Sequence, residues 1–383
     1  MNETEVLLKA HSFFKSRQFG HEGVVRLFTD SHPTLLSHKG LRPFQRFTLD
    51  MEDFVMHPDL VGQLSDGATI FAVEAKGDSD LLKGLAQAEM YQNGFHYAFL
   101  AADETALGGS LVSFAKRKNV GIIAVSSGVR VMHLPEARMP MRDAFTSIAR
   151  QMDSVIQVSR GKTFHYNIPT HYLVWAIALR PGVTYSLDSA RDELGDYPMP
   201  NQWRSALSGA QKLSLVSIRG AEVRLTAVGS AARDILPDSL KAWAHVHRKA
   251  GARGGGIPLA QFQPQSAALL RLLLLQDRIV RLVVEGLRTF PDKSASFDKL
   301  ALACDQLDHA SAPIFFLKPE AVSLLSDDTG RVEWKSAKGE HYRSSTFYQY
   351  KSVLKHAGIL APTTLGGATA KGYDPLQDIW ALV

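Results

Sequence analysis

Five residues between His57 and Tyr91 have types and spacings that could do chemistry: Asp59, Glu74, Lys76, Gln87 and Tyr91. Asp59 opens one apolar run, Glu74-Ala75-Lys76 ends a second, and Gln87 and Tyr91 lie four apart in a third segment. Residues two apart on a strand leave the same face, so Glu74 and Lys76 point together while the small Ala75 points away. Asp59, at the start of the pairing strand, can reach the same edge. Two carboxylates converging on one point repel strongly unless a cation lies between them. Mg²⁺ prefers hard oxygen ligands and keeps some of its water. A bound metal polarises a phosphoryl oxygen and lowers the pKa of a coordinated water. Lys76 beside that water would orient it and stabilise transition-state charge. Gln87 and Tyr91 share one helix face and can hydrogen-bond a phosphate, a sugar or the lysine. The expected chemistry is metal-assisted hydrolysis of a phosphodiester.

The elements that must position these groups follow from periodicity. Thr4 to Phe19 has helical spacing at Val6, Leu7, Ala10, Phe13 and Phe14, with Thr4 as N-cap. Phe28 to Arg42 reads as a loop and Phe44 to Val55 as a strand. Asp59 to Gly62 and Ala68 to Ala75 read as strands across the turn Ser65-Asp66-Gly67. Leu81 to Tyr91 reads as a helix with Leu82, Leu85 and Ala86 toward a sheet and Asp78 and Asp80 as caps. A strand at Tyr97 to Ala101, a helix at Ser110 to Lys118 and strands at Gly121 to Val125 and Val129 to Leu134 follow. The order predicts an α/β core with helices packed on a mixed sheet.

Pro58-Asp59, Glu74-Ala75-Lys76 and Gln87-Ala-Glu-Met-Tyr91 together resemble the PD-(D/E)XK, or restriction-endonuclease-like, nuclease superfamily. The Gln-x-x-x-Tyr helix is the variant of its RecB-like members. The resemblance covers roughly residues 1–140. It implies Asp59, Glu74 and the backbone carbonyl of Ala75 as metal ligands, Lys76 as the catalytic lysine, and Gln87 and Tyr91 as substrate-orienting groups. The family often adds a glutamate from its first helix. Glu5 or Glu22 could fill that place, with Glu5 preferred, and His57 stands where many members carry a basic residue that touches phosphate. Cleavage of this kind leaves a 5′-phosphate and a 3′-hydroxyl.

At 383 residues, 45% apolar and 21% charged, the chain has the composition of a soluble globular protein of two or three domains. Its one cysteine, Cys304, excludes an internal disulfide and a thiolate zinc cage and suits a reducing cytoplasm. No signal peptide is evident, and the most apolar run, Ala267 to Leu287, carries too many charges to span a bilayer. Residues 1–150 carry a net charge of −1 and residues 151–383 a net of +6, so the basic excess lies outside the acidic site. Such an excess is either a solvated surface or an electrostatic footprint for phosphates.

The domain assignment is 1–150 for the nuclease, 165–240 for a second domain and 260–383 for a helical region. Met152 to Asn167 reads as a linker. Helices at Tyr172 to Leu179, Leu187 to Leu194 and Asn201 to Leu213 precede a hairpin, Leu215 to Ile218 and Val223 to Leu225, turning at Arg219-Gly220-Ala221. This order resembles a winged helix-turn-helix. The resemblance implies Gln202, Arg204 and Lys212 as major-groove contacts and Arg219 on the wing. Ser266 to Arg288 reads as one long helix suited to a dimer contact. Pro313 to Val383 reads as a possible repeat of the module. Its helix Ser345 to His356 turns Phe347, Tyr350 and Leu354 inward and presents Ser344, Tyr348, Lys351 and Lys355 to DNA, with a wing loop at Gly366-Gly367 and Lys371-Gly372. His245 and His247 read as part of a basic helix surface.

The expected function is a Mg²⁺-dependent DNA endonuclease, with Mn²⁺ able to substitute and RNA a possible substrate. It is cytoplasmic, without membrane, and a homodimer or a subunit of a larger complex. Restriction or phage defence, mobile elements and repair suit such a pairing. The alternative is a catalytically silent DNA-binding regulator that keeps the nuclease fold as scaffold.

Overall fold

The computed structural model describes all residues except 20, 52–53, 160–163, 252–255, 328–330 and 363–373. The chain divides into two compact units, Met1–Asp153 with Leu317–Ser336, and Ser154–Phe316 with Ala337–Val383.

The first unit is α/β. Helix α1 (Glu3–Lys15) starts at Asn2, not Thr4: Asn2 and Glu5 form a reciprocal capping box. Its buried stripe of Val6, Leu7, Ala10 and Phe14 faces the sheet. Strands β1 (Gln18–Phe19) and β2 (Glu22–Thr29) follow. The sequence reading placed no element at β2, because a bulge between Val24 and Arg26 breaks its two-residue period. The expected strand Phe44 to Val55 is not formed. Among the described residues, Phe44 bridges Thr29, and β3 (Leu49–Asp50) pairs with β4 (Val55–Met56), while Phe47 is buried by loop packing rather than by a ladder.

Strands β5 (Leu60–Leu64) and β6 (Ile70–Lys76) form the expected hairpin. Helix α2 (Leu81–Tyr91) crosses over to β7 (Tyr97–Asp103), which runs parallel to β6. Helix α3 (Gly109–Arg117), β8 (Gly121–Val125) and β9 (Val129–His133) complete a seven-stranded mixed sheet of order β1-β2-β5-β6-β7-β8-β9. Helix α4 (Arg142–Ser159) runs through the first half of the stretch read as a linker.

The sheet separates two cores. On the α1 side, Phe14, Phe19, Phe71 and Phe99 pack with ring centroids 5.1–6.4 Å apart. On the other side α2 and α3 cover Leu100, Ala102 and Ile122. Helix α2 packs through Gly84, Leu85, Ala88 and Tyr91, whereas Leu82 and Ala86 face solvent. Its face is therefore rotated from the expected one. Asp80 occupies the N-cap position with a left-handed backbone, and its side chain makes no capping bond.

The second unit is mainly helical, and a similar order of elements occurs twice along its chain, the second time with an added helix and interrupted by Leu317–Ser336 of the first unit. In the first copy α5 (Thr170–Ala178), β10 (Thr184–Ser186), α6 (Leu187–Asp192) and α7 (Trp203–Lys212) lead into the hairpin β11 (Val216–Arg219) and β12 (Glu222–Leu225). The short strand β10 joins the hairpin in the order β10-β12-β11. Helices α8 (Ala227–Arg233), α9 (Leu240–Ala250), α10 (Leu259–Phe262) and α11 (Pro264–Leu274) come next.

The second copy begins with α12 (Arg278–Arg288) and continues through β13 (Ser294–Ser296), α13 (Phe297–Leu307) and α14 (Ala312–Phe316) to α15 (Ser344–His356) and β14 (Ile379–Ala381), which pairs with β13. Two local features repeat. A proline is followed five residues later by Ser-Leu-Asp or Ser-Phe-Asp at Pro181 to Asp188 and Pro291 to Asp298, and in both the serine ends the strand and sits at the N-cap of the next helix. Both α7 and α15 end in a residue of positive φ, Ser214 or Gly358. The following N–H bonds the carbonyl five residues back, Leu215 to Ala210 and Ile359 to Leu354. The repeat thus starts at Arg278, well before Pro313. The wing loop expected at Gly366 to Gly372 lies outside the described residues.

The long helix expected from Ser266 to Arg288 is two helices. The chain leaves helical geometry at Asp277, whose side chain caps α12 at Val280. Of the stretch read as suited to a dimer contact, Leu270, Leu274, Ile279, Val283 and Leu287 are buried within the chain.

Two lysines expected to meet DNA are interior. Lys212 ion-pairs with Asp277 and lies over the rings of Phe164 and Tyr350 at 5.6 and 5.4 Å. Lys351 is fully buried, 2.5 Å from Asp378 and 2.6 Å from the Ile379 carbonyl. Tyr348 is buried too, and no residue of α15 from Thr346 to His356 is fully exposed. The proposed solvent stripe is absent because elements distant in sequence cover that face of the helix.

Breaking a buried pair by removing one partner leaves an uncompensated interior charge. Lys351→Met is expected to lower the free energy of unfolding by about 3–5 kcal/mol. Lys351→Met with Asp378→Leu should recover most of that loss. Urea denaturation of the two variants checks this.

Candidate functional site

The hairpin register builds the site. Leu60 pairs with Val73, so the next step of the antiparallel ladder sets Asp59 opposite Glu74. Cross-strand neighbours share a face and have Cβ atoms roughly 5 Å apart. Ala75 points to the opposite face, into the α1-side core with Leu60 and Val73. The Ala75 N–H donates to Asp59 Oδ2 at 2.7 Å, which fixes that carboxylate at the mouth of the hairpin.

Glu74 is 3% exposed and both of its oxygens are engaged. Oε1 lies 2.7 Å from Lys76 Nζ. Oε2 accepts the Tyr91 hydroxyl at 2.6 Å, with the His57 carbonyl oxygen 3.2 Å from the same hydroxyl. Tyr91, the last residue of α2, reaches this point through its long side chain, whose hydroxyl also lies against the His57 carbonyl just before β5. Lys76 is seated from above by Gly84: a Cβ there would lie 2.6 Å from Lys76 Cγ, so only glycine lets α2 settle on the lysine stem. Gln87 is one turn before Tyr91, and its Oε1 is buried with no partner among the described residues.

The electrostatics follow from this crowding. Burial first, and then the Glu74 charge, push the Asp59 carboxyl well above its ordinary range, against smaller opposing effects of the Ala75 N–H and Lys76. Burial likewise raises Glu74, although Lys76 and Tyr91 oppose it. For Lys76 burial alone would lower the ammonium; Glu74, and then Asp59 and Glu3, reverse that and hold it above its usual value. Burial and Glu74 raise the Tyr91 phenol. Two carboxyls that resist ionising together constitute a site that gains from a cation or a proton.

The first helix does supply a glutamate, and it is Glu3 rather than Glu5. Glu3 Oε2 lies 3.6 Å from Lys76 Nζ, while Glu5 is occupied in the capping box and Glu22 accepts from Ser65. Glu3 was legible only through the placement of α1 beside the end of β6. His57 turns its Nδ1 toward the Phe47 carbonyl at 3.2 Å, and burial lowers its pKa; the ring is committed to its own chain.

Hard oxygen donors and two adjacent carboxyls raised in pKa fit a small divalent cation. Asp59 and Glu74 would hold it, with water or substrate completing the shell. Among the described residues no third His, Cys, Asp or Glu joins them as a ready-made cage.

In the second unit Gln202 and Arg204 are exposed at the start of α7, with the Arg204 guanidinium 5.4 Å from the Trp203 ring. Arg219 is exposed at the end of β11. With Ser217, Glu222 and Arg224 it forms the outer face of the hairpin. Lys355 is half-buried, and burial lowers its ammonium. His245 is exposed, whereas His247 packs on His171, 4.5 Å between ring centroids.

No family model, curated protein or solved structure matches this chain. The assignment of the site therefore rests on its own geometry.

A carboxyl whose folded pKa is raised stabilises the fold below its unfolded pKa, and the contribution is lost as pH climbs through the folded value. For Asp59 that window opens near the ordinary 3.8 and extends upward. Without divalent cations, the Asp59 contribution to wild-type stability should fall as pH rises above about 4, and Asp59→Asn should flatten that fall. Chemical denaturation across this range decides it, and parallel curves would refute the assigned shift.

Proposed function

We propose that the first unit is a divalent-metal-dependent nuclease of the PD-(D/E)XK kind and that the first copy in the second unit is a winged helix that binds DNA. The observation that carries this reading is the cross-strand apposition of Asp59 and Glu74 with Lys76 at 2.7 Å and Tyr91 at 2.6 Å from Glu74. A fold gains nothing in stability from setting a half-buried carboxylate, Asp59, against a buried one, Glu74, so their placement points to a ligand.

In this reading a divalent ion on Asp59 and Glu74 would neutralise phosphate charge and lower the pKa of a bound water. Lys76 orients the attacking water and faces the charge that develops on the phosphoryl oxygens. It must first release Glu74 Oε1, and Glu3, on the opposite side, gives the ammonium a second carboxylate. Tyr91 holds Glu74 Oε2 and so sets the direction of the other oxygen. Gln87 offers its free amide oxygen to a sugar hydroxyl or a water. The exposed Gln202, Arg204 and Arg219 supply contacts to DNA in the second unit, whereas α15, covered on its length, serves as an interior strut.

One observation favours the silent-regulator alternative: Glu74 is already neutralised by Lys76, so the cluster is satisfied without a metal. The two readings part on metal binding. As a nuclease, the wild type should gain thermal stability with Mg²⁺ or Mn²⁺ in millimolar excess, and Asp59→Asn should not. As a regulator, both proteins should ignore the ion.

Cleavage gives the direct test. Single-stranded RNA, single-stranded DNA and duplex DNA are incubated with Mg²⁺ or Mn²⁺. Asp59→Ala should abolish turnover, and Lys76→Ala should lower it by about 10²–10³, with DNA affinity nearly unchanged in both. Wild-type rates in both variants would sink the assignment.

A further inference from the structure

The row of carboxylates does not end at Asp59. Thr29 pairs with Leu60, so the next step along the ladder sets Asp30 opposite Asp59, and the Asp30 N–H donates to the Asp59 carbonyl at 2.9 Å. Asp30, Asp59 and Glu74 are therefore consecutive neighbours across β2, β5 and β6, on one face of the sheet. The row is closed at each end by a cation, Lys76 beside Glu74 and Arg46 beside Asp30.

Arg46 is held more rigidly than an ion pair alone requires. Its Nε and Nη2 donate to Oδ1 and Oδ2 of Asp30, both at 2.9 Å, in a two-pronged fork. Its backbone is also anchored, since Gln45 N–H bonds the Thr29 carbonyl and Phe44 bridges to Thr29. The remaining nitrogen, Nη1, has no protein partner among the described residues and is not sealed from solvent. Through its fork with Asp30, whose N–H bonds the Asp59 carbonyl, the guanidinium stands at the Asp59 end of the acid pair. A planar cation fixed on one edge, with the other nitrogen unpaired and the side chain 12% exposed, is prepared for a planar or tetrahedral oxyanion.

We propose that Arg46 is a positioning residue that binds the phosphodiester flanking the one to be cut, and that Asp30 aims it. The proposal rests on the nuclease reading of Asp59 and Glu74. Asp30 lies two strand spacings, roughly 10 Å, from Glu74. That places Arg46 beyond the phosphate at the carboxylate pair and next to its neighbour along a bound strand. Contacts to flanking phosphates set the register of a nucleic acid without reading its sequence.

The test uses the full chain and a 20-nucleotide DNA, single-stranded and as a duplex, in which one neutral methylphosphonate replaces successive phosphates. The wild type should lose about tenfold in affinity, the size of one charge-assisted hydrogen bond, when the neutral linkage sits beside the cleavage position. Arg46→Gln should bind the all-phosphate DNA about tenfold more weakly and lose that positional dependence, with KM raised and kcat little changed. Arg46→Lys should recover part of both. Because Arg46→Gln leaves Asp30 charged, the double variant Asp30→Asn with Arg46→Gln is run beside it. It keeps a neutral hydrogen-bonded pair and should show the same loss. A wild-type methylphosphonate profile in Arg46→Gln overturns the proposal. Binding measured with Ca²⁺ in place of Mg²⁺ separates the two claims. If the wild type cleaves nothing, the nuclease reading fails while the binding profile still decides Arg46. If it binds no oligonucleotide, both fail.

Discussion

Placing the Asp59 carboxyl beside that of Glu74, one strand apart and largely out of water, is the constraint to which the rest of the first unit answers. Two such groups cannot both ionise there without help. The surrounding chain supplies that help in parts: the Ala75 N–H for Asp59, the Lys76 ammonium and Tyr91 hydroxyl for Glu74. Each partner comes from a different kind of element, a strand backbone, a strand side chain and a helix end. The arrangement is satisfied at rest yet rearrangeable, because Lys76 can exchange Glu74 for Glu3.

The topology explains why these parts meet. The β5–β6 hairpin brings the two acids into register, and the parallel pairing of β6 with β7 demands a crossover, which α2 provides. That crossover returns Tyr91 and Gln87 to the acids. The close seat of Gly84 on Lys76 then couples the position of the helix to the position of the ammonium. The same sheet face continues outward to Asp30 and Arg46, so one side of three strands carries a row of three acids closed by a cation at each end rather than an apolar surface.

The second unit shows how a repeated order of elements can take two physical roles. In the first copy the start of α7 and the outer face of the hairpin remain exposed and carry arginines. In the second copy the corresponding helix α15 is enclosed, its Lys351 neutralised by Asp378 and its Phe347 packed on Phe297, Phe316 and Trp380. The two buried lysine–aspartate pairs, Lys212 with Asp277 and Lys351 with Asp378, tie the end of one helix to the start of another and a helix to a strand.

The sequence by itself determined the parts that depend on local pattern. The β5–β6 hairpin, α2, β7 and β8, the three helices before the β11–β12 hairpin, and the apposition of Asp59 with Glu74 and Lys76 follow from periods of two and 3.6 residues and from turn chemistry. It misread what local pattern does not encode. A bulge hid β2, loop packing imitated a strand at Phe44 to Val55, and one capping aspartate divided an apolar run into α11 and α12. Only the tertiary structure decided that Glu3 rather than Glu5 approaches the lysine, that Asp30 and Arg46 extend the acidic row, and that Lys212 and Lys351 are interior. The reason is the same each time. A charge is exposed or neutralised according to which distant residue folds against it, and the partners here lie 16 to 73 positions away, beyond the reach of any helical or strand period.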